Sequence, residues 1–355
     1  MPYRFFCFVL IICSFSASEA QEYRWRVGMD YFFDNMEYKY SSYADARTLQ
    51  GIWLKPQGGI TWDSAHAVYA GVDLLKMPGM KHAVDKVDVT LYYQYATDKV
   101  LFRAGAFPRR DVLSNYSDFF FRDSVNHFMP LMQGLFWQVG RGGNFINAWM
   151  DWTSYSTAEA RESFFLGLSG KATKNIFFVD FQSSLFHYAG TYPNNGLYGV
   201  SEQIQGIASA GVEVTPATQF KGMASAGLFA GLERDRKADL IHRPVGFVAR
   251  VHAEYMGIGT ENTLYAGDAR MRFYDEQGSA LYWGTPFLQG RSYLQSKWYI
   301  RLLDTDRVTA RVNCNLHLSE GEWHLQQTLS VAASIDNFSK PGKKRPLYPW
   351  KRLFQ

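Results

Sequence analysis

Three observations predict an all-β chain, a transmembrane antiparallel up-and-down β-barrel of about sixteen strands. Apolar and polar residues alternate with period 2 in segment after segment. Most of these segments run to roughly ten residues, the length a tilted strand needs to cross a bilayer. Beyond residue 20, no window approaches the ~18 consecutive apolar residues of a membrane helix. The composition is 17% aromatic and 20% charged with a formal net charge of +4, too mildly basic to point to nucleic acid.

The end of the chain carries the pattern most fully. Val308, Ala310, Val312, Cys314, Leu316 and Leu318 interleave with Arg307, Thr309, Arg311, Asn313, Asn315 and His317. Past Glu320-Gly321, the residues Trp323, Leu325, Leu329, Val331 and Ile335 alternate with His324, Gln326, Thr328, Ser330 and Ser334. A two-residue hairpin turn at Glu320-Gly321 sets Leu318 opposite Trp323, Leu316 opposite Leu325, Val312 opposite Leu329, His317 opposite His324 and Asn315 opposite Gln326. Both faces then stay pure. Upstream, a three-residue loop at Asp304-Thr305-Asp306 brings Leu302 to Val308, Ile300 to Ala310 and Tyr299 to Arg311. The polar face carries Lys297, Arg301, Arg307 and Arg311, more charge than a dry interior holds unpaired, so that face is wet.

Residues 1–20 have the form of a secretory signal peptide: Arg4, an apolar run over 5–15, and Ser18-Glu19-Ala20 before Gln21. Cys7 and Cys13 leave with it. Cys314 then stands alone, and no intrachain disulfide forms. Alternating segments follow at 23–32, 50–62, 65–75, 87–95, 100–107, 131–140, 144–153, 163–172, 175–188, 203–214, 220–232, 246–255, 263–273 and 292–303, before the closing hairpin. Asp98-Lys99 is a two-residue turn that pairs Tyr95 with Phe102 and Leu91 with Ala106, and the link over 215–218 is another short one. Long and short connections mostly alternate, as in a barrel with long loops at one rim and tight turns at the other. The barrel is assigned to 21–338. A basic tail over 339–355, with Lys340, Lys343, Lys344, Arg345, Lys351 and Arg352, reads as solvated.

Alternation, aromatic content, loop rhythm and signal peptide together resemble the porin-like outer-membrane β-barrels of Gram-negative bacteria. The resemblance implies a place in the cell outer membrane, with outer-membrane lipid outside and small hydrophilic solutes as partners, and a homo-oligomer such as a trimer. It also implies a third long loop, 108–130, folded into the barrel as a constriction, with Arg109, Arg110, Asp111, Asp118, Arg122 and Asp123 as its charges. The competing reading of this loop is a surface segment with a short aromatic-anchored helix after Ser117. Arg24, Arg26, Arg103, Arg250, Lys297, Arg301, Arg307 and Arg311 form the expected pore-lining ladder. Wall acids, among them Asp30, Asp73, Asp151, Asp180, Glu213 and Glu254, make the lumen mixed, with a weak anion preference.

The expected function is passive diffusion of small hydrophilic solutes, with no catalytic residues, no metal and no cofactor, and so not an enzyme. The alternative is a substrate-specific transporter or sugar-binding barrel, in which Tyr192, Tyr198, Tyr282 and Trp283 stack on sugars. An outer-membrane hydrolase or adhesin ranks lower. His317 and His324, with Ser319, Glu320 and Glu322 nearby, are the histidine pair to weigh for a metal or a catalytic site, yet hairpin register alone accounts for their meeting. Phe107-Pro108-Arg109 and Tyr282-Trp283-Gly284-Thr285-Pro286-Phe287 read as segments that fix loop conformations.

Overall fold

The computed structural model describes residues 21–194, 196–214 and 220–338. The segment expected to be a signal peptide, the basic tail and the expected 215–218 turn lie outside the described residues. The strands are β1 (Glu22–Glu37), β2 (Arg47–Trp62), β3 (His66–Lys76), β4 (Lys86–Ala96), β5 (Val100–Pro108), β6 (Leu131–Arg141), β7 (Asn144–Ser154), β8 (Ser163–Lys174), β9 (Phe177–Tyr188), β10 (Ser201–Val214), β11 (Phe220–Asp235), β12 (Leu240–His242), β13 (Val245–Tyr255), β14 (Ile258–Gly267), β15 (Ser292–Asp304), β16 (Val308–Ser319) and β17 (Glu322–Asp336). Sixteen of them close an antiparallel barrel; the three-residue β12 pairs only with the last residues of β11, just ahead of β13. β1 pairs with β2 on one side and β17 on the other, with Val27 opposite Ile335, so no strand edge is left open.

The closing hairpin has the expected register at all five pairs, and Glu320 and Gly321 take the positive φ values, 51° and 87°, that such a turn requires. Tyr95 faces Phe102 and Leu91 faces Ala106 as expected. Two local readings need correction. Between β15 and β16 the register is two residues further along: Tyr299 faces Asn313 and Ile300 faces Val312, followed by a bulge between Arg301 and Leu303. A shift of two preserves the faces, and the bulge turns both Leu302 and Leu303 outward. The segment assigned to 263–273 starts earlier, as Ile258–Gly267. Met256 and Gly257, at φ 52° and 83°, make a tight turn that carries no polar marker in the sequence. Residues after Gly267 leave the wall and enter the lumen.

Trp25, Val27, Met29, Val87, Val89, Leu91, Trp298 and Ile335 are exposed on the outer face, an apolar band suited to acyl chains. Cys314 is exposed there too. The packed core lies inside the barrel, where Phe119, Phe120, Phe121, Tyr282, Trp283, Phe287 and Leu288 from two infolded loops meet wall residues Phe107, Phe136, Trp149, Phe165, Phe186, Tyr265 and Tyr293.

Candidate functional site

The third long loop folds into the lumen and is not a surface segment, although it carries a short helix after Ser117 as the competing reading expected. The helix is Asp123–Phe128. Arg109, at the loop entrance, is buried against Asp151 of β7 at 2.7 Å and donates to the Leu131 carbonyl at 3.1 Å. Asn115 donates to Ser169 at 2.8 Å. The Tyr116 hydroxyl donates to the Ser183 carbonyl at 3.0 Å and accepts from the Trp149 indole at 3.0 Å. Burial pushes that hydroxyl up to about 12, so it stays a donor. Asp118 crosses to β15, accepting from Gln295 at 3.0 Å and pairing with Lys297 at 3.1 Å.

A second loop, 268–291, fills the rest of that half of the lumen, which the sequence did not reveal. Its backbone runs beside the third loop: the Arg122 N–H donates to the Trp283 carbonyl at 2.9 Å and the Thr285 N–H to the Asp118 carbonyl at 2.9 Å. The Arg122 guanidinium donates to the Tyr282 and Gly284 carbonyls at 2.8 and 3.2 Å. A side chain at 284 would put a Cβ 2.2 Å from the Phe119 carbonyl oxygen, so only glycine allows the contact. Glu233 accepts from the Met271 and Arg272 N–H groups and from the Tyr282 hydroxyl. Tyr282 and Trp283, expected as sugar platforms, are instead core residues of this plug. Tyr192 and Tyr198 are exposed on the 189–200 loop.

Below the plug, toward the tight-turn rim, two cavities of ≈590 and ≈430 Å³ remain. The ladder cations stand around them, but most face a carboxylate. Arg250 pairs with Asp180 at 2.8 Å, Arg301 with Glu254 at 2.7 Å and Arg311 with Glu261 at 2.9 Å, all within the wall. Arg103 reaches Asp111 at 3.1 Å, and Lys297 reaches Asp118, so the loop does face part of the ladder. Arg26, Arg110 and Arg307 line the ≈430 Å³ cavity and make no ion pair among the described residues. Arg109 and Arg122 are consumed in holding the plug and do not present charge to solutes.

Where plug meets wall, His127 Nε2 lies 3.8 Å from Asp34 Oδ2, two buried atoms with no hydrogen-bond partner among the described residues. Burial drives the imidazole down to about 4, and its ring stacks on Phe32 at 4.2 Å. Asp34 accepts from Gln326 at 2.7 Å, and Gln326 Oε1 lies 3.2 Å from His317 Nε2, whose Nδ1 is 2.7 Å from the Tyr293 hydroxyl. His317 is thus spent in a buried network. No group of three or more His, Cys, Asp or Glu suited to a metal occurs among the described residues.

A second constellation sits on the outside of the wall at the long-loop rim, and the sequence reading missed it. Cross-strand neighbours Trp152, Phe164, His187, Glu202 and Arg234 form one row over β7 to β11. They share the outward parity of Leu166, Val179, Ile204 and Leu228, which are exposed on the apolar face. Phe164 stacks on Trp152 at 5.2 Å and on His187 at 4.8 Å. His187 Nδ1 lies 3.6 Å from Glu202 Oε1, and Arg236 grips both Glu202 oxygens at 2.5 and 3.2 Å. The Glu202 carboxylate thus lies on the Nδ1 side of the His187 ring, beyond hydrogen-bond distance. The signal available in the sequence was parity: His187 and Glu202 occupy positions where an apolar residue belongs.

A closed sixteen-stranded barrel with an apolar belt, a charged lumen and an infolded third loop defines a porin-like outer-membrane barrel. Solved structures agree on this fold. The chain is similar to a loop-deletion mutant of the outer-membrane protein OmpT of Vibrio cholerae (TM-score 0.54, 10% identity, 89% of this chain and 100% of that one). It is similar to the anion-selective porin from Comamonas acidovorans (0.53, 8%, 89% and 99%) and to the outer-membrane protein OpdK from Pseudomonas aeruginosa (0.51, 10%, 89% and 99%). No curated protein matches it in sequence. The chain belongs to the lipid A 3'-O-deacylase-type family, which its residues 15–337 match. That family is an enzyme type, and the match overturns the expectation of a barrel with no chemical step.

Proposed function

We propose that this protein is an outer-membrane hydrolase that removes an ester-linked acyl chain from a lipid A-type glycolipid in the outer leaflet, with His187 as general base and Glu202 positioning it. The observation that carries this reading is the His187–Glu202 couple on the lipid-facing side of the wall at the long-loop rim. There a bilayer-embedded ester reaches the imidazole without entering the plugged lumen. The Trp152–Phe164 stack suits the acyl chain, and Arg234 and Arg236 give the row a positive end for an anionic headgroup. In the reaction, His187 Nε2 takes a proton from water as the oxygen adds to the ester carbonyl. The tetrahedral adduct collapses, breaking the acyl carbon–oxygen bond, and the departing sugar oxygen takes the proton back. Glu202 stabilises the imidazolium in between.

The test is mass spectrometry of lipid A incubated with the detergent-purified protein, following loss of one acyl chain and appearance of free fatty acid. His187→Gln is expected to slow release by about 10²-fold or more while the barrel keeps its heat-modifiable gel mobility. Undiminished release by that variant would reject the site, and no release by the wild type would reject the activity.

A second reading, passive diffusion of small hydrophilic solutes with a mild anion preference, is favoured by the ≈590 and ≈430 Å³ cavities and by Arg26, Arg110 and Arg307, which make no ion pair among the described residues. Single-channel conductance in a planar bilayer tests it. Absent current, or cation selectivity in a salt gradient, rejects it.

A further inference from the structure

We infer that the tight-turn mouth of the lumen holds a binding site for a small oxyanion of the phosphate-monoester class, built by Arg24, Arg26 and Arg103. The three guanidiniums line a cavity of ≈170 Å³ with Tyr69, Tyr92 and Phe338. Its geometry follows from strand periodicity. Residues 24 and 26 share the lumen side of β1, about 7 Å apart, and Gln57 and Gly59 of β2 lie opposite them. A Cβ at Gly59 would fall 2.4 Å from the Tyr69 ring, so the glycine lets that ring lie across the strand and stack on Tyr92 at 5.1 Å. Tyr92 in turn lies under the Arg103 guanidinium at 5.3 Å.

Charge in this cavity is not balanced. Asp111 is the one carboxylate among the described residues that line it, and it is engaged by Arg103 at 3.1 Å. Arg24 pairs at 3.4 Å with Glu22, whose side chain is largely solvent-exposed. Arg26 makes no ion pair among the described residues. Asp336 is its cross-strand neighbour and accepts the Phe338 N–H at 3.0 Å. The Nε atoms of Arg24 and Arg26 are both shielded from solvent and have no hydrogen-bond partner among the described residues. An orphaned buried donor is costly, and a tetrahedral oxyanion offers several acceptors to adjacent guanidinium forks. The Phe338 ring lies 5.5 and 5.3 Å from the Arg24 and Arg26 guanidinium carbons, a cation–π contact with both that holds the two side chains together at the mouth.

The site lies at the opposite rim from His187 and does not depend on the hydrolase reading. Isothermal titration of the full-length protein in detergent with inorganic phosphate, using chloride as the control ion, tests it. Saturable phosphate binding is expected, weakened about tenfold or more by Arg26→Gln and in the same direction by Arg24→Gln. Arg307→Gln, a lumen arginine outside the cavity, is expected to leave the affinity unchanged. Should a glutamine variant not fold, as judged by gel mobility, Arg26→Lys keeps the charge, loses the fork and is expected to bind severalfold more weakly. Acyl release by Arg26→Gln should match the wild type, so the two readings fail separately. Phosphate binding that is absent, or unchanged in the Arg26 and Arg24 variants, would overturn the inference.

Discussion

The two histidine–carboxylate couples stand on opposite faces of one wall. His127 and Asp34 are sealed inside between plug and β1, with a stacked phenylalanine on one side and a hydrogen-bonded glutamine on the other. His187 and Glu202 sit outside, at the strand ends where lipid gives way to headgroups. Charge inside a water-filled barrel is expected of any porin-like wall and carries little information. On the lipid side it costs ~2–4 kcal/mol for Arg or Lys at the midplane and ~0–1 near the interface. A bilayer therefore permits such a row only near a rim, which is the depth at which an outer-leaflet ester lies. The inner couple is walled off by structure, whereas the outer one borders the apolar face of the wall.

The contrast can be tested from its structural side first. Arg109→Ala leaves Asp151 as an uncompensated buried carboxylate, an effect of about 3–5 kcal/mol, and should release the third loop from the wall. Increased planar-bilayer conductance with unchanged acyl release would show that the plug and the outer row are independent. Conductance equal to wild type would show that the pair does not hold the plug. Acid should act next. His127 is held neutral with its pKa near 4, against 6.5 in an open loop, so the unfolded loop binds more protons between those values. The His127 contribution to infolding is present in full above pH 6.5 and is lost as pH falls toward 4, a loss of up to about 3 kcal/mol from this group alone. Hydrogen exchange over residues 109–130 should rise across that window, and His127→Asn should flatten the response.

Gly284→Val should loosen the pairing of the two loops by ~1–3 kcal/mol, read as increased proteolysis within 268–291. The smallest effect is expected outside. Arg236 is half-exposed, and Arg236→Gln removes only a solvent-screened surface fork, so hydrolysis should fall only severalfold. A loss as large as that of His187→Gln would move Arg236 from support to direct contact with substrate.

The barrel was legible because its signal is local and repeated. Leu318 opposite Trp323 and Tyr95 opposite Phe102 follow from alternation plus a two-residue turn, with no knowledge of the rest of the chain. The third loop's charges were picked out as well, but their fates were not. Arg109 and Arg122 look like Arg110 in sequence, yet two are locked into the plug and one lines a cavity. Period-2 reading also failed at Met256-Gly257, where a turn lacks polar residues, and at Leu302, where a bulge absorbs one residue.

The sequence by itself determined which residues face lipid and which face the lumen, because side-chain parity along a strand leaves only two choices. Only tertiary structure decided that residues 268–291 close the lumen with the third loop, and that Trp152, Phe164, His187, Glu202 and Arg234 become neighbours. Those contacts join positions tens to more than a hundred residues apart. Strand register and loop entry, which depend on the whole closed sheet, set which of them meet.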